Sequence, residues 1–211
     1  MGTVVSRGRA YIRRTSTTFS LLALGPTEDT DDVSKPKPDG TRAELDDRSV
    51  EIIKATWKSS RQNGPIGMII LTTLISKKPS FARYFGIDEG LSEDELKIEE
   101  PILAQAQRIQ GFLDNVVCIL GEVPLNVIEQ QARRIGTIHY QKGVNFTVEN
   151  WTVFRDTTIQ NIATEKVLSD THIKEKEAKR IWKLALNGII KEMKQGFIDE
   201  AHKNCNVVVN T

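Results

Sequence analysis

From about residue 47 to about residue 204 the chain repeats apolar side chains at helical intervals and almost nowhere at the alternation a strand requires. That property limits the fold to amphipathic helices packed on one another. The clearest case is the stripe Ile102, Ala106, Ile109, Leu113, Val116 and Leu120, whose spacings of three and four put one apolar face along a long helix. Before it, Val50, Ile53 and Trp57 mark a first helix and Gly67 to Ser76 a second, with Gly64-Pro65 punctuating the junction and Pro65 suited to opening a helix. A short helix follows from Pro79 to Phe85. Asp88 to Glu95 then reads as an acidic connector, and Pro124 restarts the chain into a further helix. Two more are expected, over about 149–164 and 173–204, the last covering a core with Ala178, Trp182, Ala185, Ile189, Met193 and Phe197. Helices of this kind, without simple heptads, suit crossed packing better than a parallel bundle.

Two polar side chains interrupt these faces. Ile128, Ala132, Ile135 and His139 recur at spacings of four, three and four, so the imidazole projects from the same face as three apolar neighbours. A lone histidine there is ordinarily a satisfied core residue; as a neutral imidazole it is also a strong metal ligand. Gln105 falls three residues after Ile102 and four before Ile109, which places an amide on the apolar face of the long helix. Its plain alternative is a helix-edge residue reaching solvent. His172 and His202 stand among charged residues and read as solvated.

The surroundings give these two residues a context. Trp57, Gly67, Pro79 with Phe85 six residues on, His139 followed by Gly143-Val144, and the helix Ile181 to Met193 come in an order that resembles the globin family, over about residues 45–203. The chain looks like a nematode-like globin with an N-terminal extension. The resemblance implies an all-α globin fold of about seven or eight helices packed round a haem pocket, with haem b (iron protoporphyrin IX) as cofactor. It makes His139 the proximal iron ligand, its other ring nitrogen donating to a nearby backbone carbonyl or hydroxyl. Thr137 is too close in sequence to serve as that partner. Phe85 would pack flat on the porphyrin, with Leu71, Ile109, Val144 and Phe154 completing the walls, although each would serve equally as ordinary core. Gln105 takes the distal position, where its NH2 group can donate to bound dioxygen. Glutamine is a poor iron ligand, and no histidine lies between residues 86 and 138, so the implied iron is five-coordinate with a free sixth site. Leu71 offers no second hydrogen bond where some members carry tyrosine.

Composition removes several other functions. Lys and Arg total 29 against 28 Asp and Glu, so no net field favours nucleic acid as a partner. Cys118 and Cys205 lie far apart with no CxxC or zinc spacing, which indicates a reducing compartment; Cys118 reads as helix packing and Cys205 as a solvated thiol. No apolar run has the length of a membrane span. Three functions stay open. The first is reversible binding of dioxygen or another diatomic gas, used for oxygen or redox sensing at a membrane and not catalytic. The second is haem-dependent redox catalysis of the nitric oxide dioxygenase or peroxidase type, which needs an external electron donor because no Gly-rich dinucleotide fingerprint is present. The third is a haem-free helical interaction module.

Residues 1–45 read as a disordered extension, 46–205 as the globin domain and 206–211 as a short tail. Met1-Gly2-Thr3-Val4-Val5-Ser6 fits an acceptor for N-myristoylation at Gly2, and Arg7, Arg9, Arg13 and Arg14 add the electrostatic signal that one acyl chain needs at an anionic membrane surface. This predicts a cytoplasmic protein anchored to the cytoplasmic face of the plasma membrane. Residues 1–27 are also Arg-rich, Ser/Thr-rich and free of acids, as a mitochondrial transit peptide would be.

Overall fold

Trp57 and Trp182, from the two ends of the helical region, meet with ring centroids 6.1 Å apart. Each buried indole has its partner: Trp57 Nε1 donates to Asp114 and Trp182 Nε1 to Thr56 Oγ1, both at 2.8 Å. The Thr56 hydroxyl donates onward to the Ile52 carbonyl at 2.7 Å. The computed structural model describes residues Leu45 to Val208, with side chains as far as Cys205. Gly2 and the rest of the extension, and the tail at 206–211 apart from the backbone to Val208, lie outside the described residues.

The helices are α1 (Asp47–Gln62), α2 (Ile66–Lys77), a 3-10 helix (Pro79–Phe85), α3 (Glu93–Ile98), α4 (Glu100–Ile119), α5 (Leu125–Gln141), α6 (Val148–Ile162), α7 (Glu165–Leu168) and α8 (Glu175–Val208). Among the described residues there is no strand, only a single bridge between Leu120 and Val123. The fold is all-α, as the apolar period requires. Two helices lie where none was expected. Within the acidic stretch read as a connector, Ser92 and Glu95 form a reciprocal capping box that starts α3, which buries only Leu96. The four residues of α7 are too few to show a period.

The core has two parts. One gathers Trp57, Leu113, Ile162, Trp182 and Leu186 with their neighbours from α1, α4, α5, α6 and α8. The other gathers Leu71, Leu74, Ile75, Phe81, Ala82, Leu96, Ile102 and Ala106. Ile109, Phe146 and Phe154 pack against both and form the seam. The α4 stripe is buried as expected, apart from Ile109, which is half-buried. Cys118, by contrast, is exposed, as is Cys205. The helix-packing role expected for Cys118 is therefore corrected: it stands two residues from both Val116 and Leu120, about 200° round the helix from their stripe.

Close helix crossings position the rest. A Cβ on Gly67 would stand 2.2 Å from the Ala106 carbonyl oxygen, so α2 rests directly on α4. On α5 a Cβ at Gly136 would stand 1.8 Å from the Met193 carbonyl oxygen, and on α8 one at Gly196 would stand 2.0 Å from that of Arg133. Around this double contact, Thr137 Oγ1 donates to the Gly196 carbonyl at 3.3 Å, and Arg133 Nε to Glu192 at 2.6 Å. Gln141 Nε2 donates to Glu200 at 2.9 Å, and Tyr140 meets Phe197 edge-on at 5.3 Å. The helix bearing His139 is fixed along its last two turns.

Candidate functional site

The most buried line on α5 is Ile128, Ala132 and Gly136, which faces α8; Ile135 and His139 lie half-buried on its flank. The end of α5 is fixed by its backbone. Gly143 takes the left-handed conformation (φ 67°), its N–H donates to the Tyr140 carbonyl at 2.9 Å, and the Val144 N–H donates to the His139 carbonyl at 2.9 Å. That pair of bonds is a Schellman motif, which requires a residue tolerant of positive φ at Gly143. The Gly-Val pair after His139 thus has a structural cause: it ends the helix and turns the chain so that Phe146 comes back against the histidine.

The His139 ring meets Phe146 with centroids 5.2 Å apart and Trp151 at 5.9 Å. Phe146 is the hub of the group, touching Trp151 at 5.0 Å, Tyr84 at 5.1 Å and Phe81 at 5.8 Å, mostly edge to face. Tyr84 Oη donates to the Asn145 carbonyl at 3.1 Å and accepts from Asn150 Nδ2 at 3.4 Å. These contacts join the 3-10 helix to the segment between α5 and α6.

His139 Nδ1 is buried without a hydrogen-bond partner. The resemblance implies that it donates to a carbonyl or hydroxyl; the Thr137 hydroxyl is turned instead to the Gly196 carbonyl. Burial disfavours the imidazolium and lowers the His139 pKa from 6.5 to about 4. The side chain is therefore neutral at pH 7, the form that binds metal.

Burial of His139 makes stability depend on pH. The unfolded chain takes up a proton near pH 6.5 and the folded chain only near pH 4, so stability is complete above the first value and is lost as pH falls through the window. At pH 5 the loss is about 2 kcal/mol. We expect urea unfolding of haem-free protein at pH 7 and pH 5 to show this difference, and His139→Leu to remove it. An unchanged difference in the variant would place the titrating group elsewhere.

The other expected site residues are brought into the same region to different degrees. Leu71 is buried in the second part of the core, Phe85 packs half-buried against it, and Ile109 and Phe154 sit on the seam. Val144 is half-buried beside the end of α5. Gln105 is half-buried on α4, and its Oε1 accepts from Arg108 Nη1 at 3.4 Å, a long contact that engages the carbonyl end of the amide and not the NH2 group. His172 and His202 are exposed, as their charged surroundings indicated. Sequence reasoning passed over Phe81, Tyr84, Phe146 and Trp151. The usable signal was aromatic density in two stretches, Phe81, Tyr84 and Phe85 in the 3-10 helix and Phe146 and Trp151 around the start of α6. Among the described residues no group of three or more His, Cys, Asp or Glu is placed to hold a metal ion. A metal at His139 would need a prosthetic group to supply the remaining ligands.

The family model for globins matches residues 69–193. Among solved structures, the globin-like protein Glb-12 from C. elegans superposes with a TM-score of 0.63 at 18% identity, over 76% of this chain and 92% of its own. A hexacoordinated haem protein from an anhydrobiotic tardigrade gives 0.60 at 18% identity, over 72% of this chain and 95% of its own. No curated protein matches by sequence. The family match takes in α4, α5 with His139, the Schellman turn and α6, and on that ground the chain belongs to the globin family.

Proposed function

We propose that this globin binds haem b at His139 and takes up dioxygen or another diatomic gas reversibly. One observation carries the reading: a half-buried histidine, neutral at pH 7 and with Nδ1 unpartnered, beside the seam between two apolar parts of the core. The residues present fit the group. His139 offers a ring nitrogen to iron, Phe85, Leu71, Ile109, Val144 and Phe154 offer apolar surface that excludes water, and Gln105 offers an amide donor. A bound ferrous haem supplies the iron centre at which a diatomic gas is held.

Gln105 is the distal residue that sets how long a polarised gas stays, since Leu71 has no donor. A hydrogen bond to a partly charged acceptor contributes about 1.5 kcal/mol, or roughly tenfold in dissociation rate. Gln105→Leu is therefore expected to speed dioxygen release about tenfold while carbon monoxide, a weaker acceptor, changes far less. Stopped-flow dissociation of both gases decides it, and equal effects would remove Gln105 from the distal role. With glutamine there and no histidine between residues 86 and 138, the iron keeps an open sixth position, unlike that of the tardigrade protein. The reading is of gas binding; haem-dependent redox catalysis would draw its electrons from an external donor, since the sequence carries no dinucleotide fingerprint.

The test is the absorption spectrum of the protein titrated with haemin, then reduced, then placed under carbon monoxide. Stoichiometric uptake, a five-coordinate ferrous spectrum and a shift with carbon monoxide are expected. No specific uptake would leave a haem-free helical module.

The same proposal places the protein at the cytoplasmic face of the plasma membrane through acylated Gly2 and the arginines after it. Gly2→Ala is expected to move most of the protein from the membrane fraction to the soluble one. Retention at the membrane, or processing of the extension in mitochondria, would overturn the anchor.

A further inference from the structure

Beside the aromatic group, between α6 and α8, runs a cleft whose chemistry the gas-binding site does not use. Its wider part, about 350 Å³, is lined by Arg155, Asn187, Lys191 and Lys194 together with Trp151 and Ile198, and no acidic residue lines it. Its narrower part, about 180 Å³, shares Trp151, Lys194 and Ile198 and continues along Phe146, Val148 and Phe197. One end is therefore cationic and the other apolar. The apolar end is open to water: Val148 is 75% exposed and Ile198 45%. These two exposed apolar side chains line one end of the groove.

The cations are not equivalent. Arg155 is committed, pairing with Asp156 at 2.7 Å and donating to Asn187 Oδ1 at 3.0 Å. Lys191 and Lys194 make no ion pair with any described residue, although α8 elsewhere pairs its acids with Arg48, Arg133 and Lys203. Two uncommitted ammonium groups above an apolar floor suit a ligand with an anionic head and a hydrocarbon tail. The volume of the wider part is at the lower end of the range for small-molecule sites, about 300–1,000 Å³.

We infer that this cleft binds a single fatty acid, its carboxylate held by Lys194 and Lys191 and its alkyl chain laid over Trp151 and Ile198 towards Phe146 and Phe197. Phe146 and Trp151 also carry the ring contacts to His139, so a ligand in the cleft touches the same rings that touch the histidine. The site stands without the haem reading; its effect on His139 reaches the haem only if that reading holds.

The test is calorimetric titration of the full-length protein, as purified, with dodecanoate, dodecyltrimethylammonium and acetate. Saturable one-to-one binding of dodecanoate is expected, with at least tenfold weaker binding of the other two. Lys194→Glu should weaken dodecanoate at least tenfold, whereas Lys194→Arg should retain it. In carbon-13 spectra the imidazole signal of His139, one of 3 histidines, should shift on adding dodecanoate while those of His172 and His202 stay in place. Equal affinity for dodecanoate and dodecyltrimethylammonium would overturn the charged end, and an unmoved His139 signal would overturn the coupling. Binding only to vesicles containing phosphatidylserine, with no binding of monomeric dodecanoate, would make the cleft a membrane contact. Concentration-dependent dimers abolished by Ile198→Asp, again without dodecanoate binding, would make it a contact between two copies of this chain.

Discussion

Replacing His139 by alanine is expected to remove stoichiometric haem uptake, with affinity falling by more than about a hundredfold, since even loss of a group that only orients a metal ligand costs tenfold to a hundredfold. The expectation follows from the other candidate ligands: His172 and His202 are exposed, and among the described residues no cluster of other ligating side chains is placed to hold a metal. The variant should still fold, because His139 is only half-buried and its contacts are edge contacts to Phe146 and Trp151. It also sheds the cost of keeping an imidazole neutral below pH 6.5. The decisive measurement is a haemin titration of His139→Ala with and without added imidazole. Free imidazole entering the space left by the side chain should restore a spectrum close to that of the parent protein. A variant that binds haem unchanged without imidazole would show that the iron ligand is another residue.

Why His139 was legible and its neighbours were not is a matter of local pattern. Ile128, Ala132, Ile135 and His139 repeat on one helix, and the Gly-Val pair after them is the sequence form of a Schellman turn, so the inward-leaning histidine and the helix end are both legible in one stretch. Phe146 lies in the connection between helices and Trp151 at the start of α6, where periodicity says nothing about which way a ring faces. The meeting of Phe146 with Phe81 and Tyr84 spans more than sixty residues of sequence. The missed α3 is of another kind. Its acidic composition suggested a connector, yet Ser92 and Glu95 were the signature of a helix start and outweighed the lack of apolar residues. Cys118 lies in a mostly apolar helix, yet standing two residues from both Val116 and Leu120 it points away from the packed stripe, and it is exposed. Gln105 stands half-buried at the edge of the α4 stripe, and its contact with Arg108 depends on two long side chains folding over one helix surface, which spacing alone does not give.

The second large effect concerns two glycines that periodicity treats as weak helix formers. Gly136→Ala is expected to cost about 3 kcal/mol, the upper part of the usual range for overpacking. In a domain of this size that is a fall in Tm of about 10 °C. The new methyl would meet backbone, the Met193 carbonyl at 1.8 Å, and backbone cannot rotate aside as a side chain can. Gly196→Ala should act alike, since its Cβ meets the Arg133 carbonyl at 2.0 Å from the other side of the same crossing. The natural controls are Gly111 on α4 and Gly188 on α8, where nothing stands within 4 Å of an added Cβ. Alanine there should stabilise by about 0.5–1 kcal/mol through helix propensity alone. Thermal unfolding of the four variants therefore separates close approach from propensity by the sign of the change. If Gly136→Ala behaved like Gly111→Ala, α5 would not rest on α8 at that point. If it destabilises as expected, the strain falls one turn before His139, and haem affinity should drop in Gly136→Ala although His139 itself is unchanged.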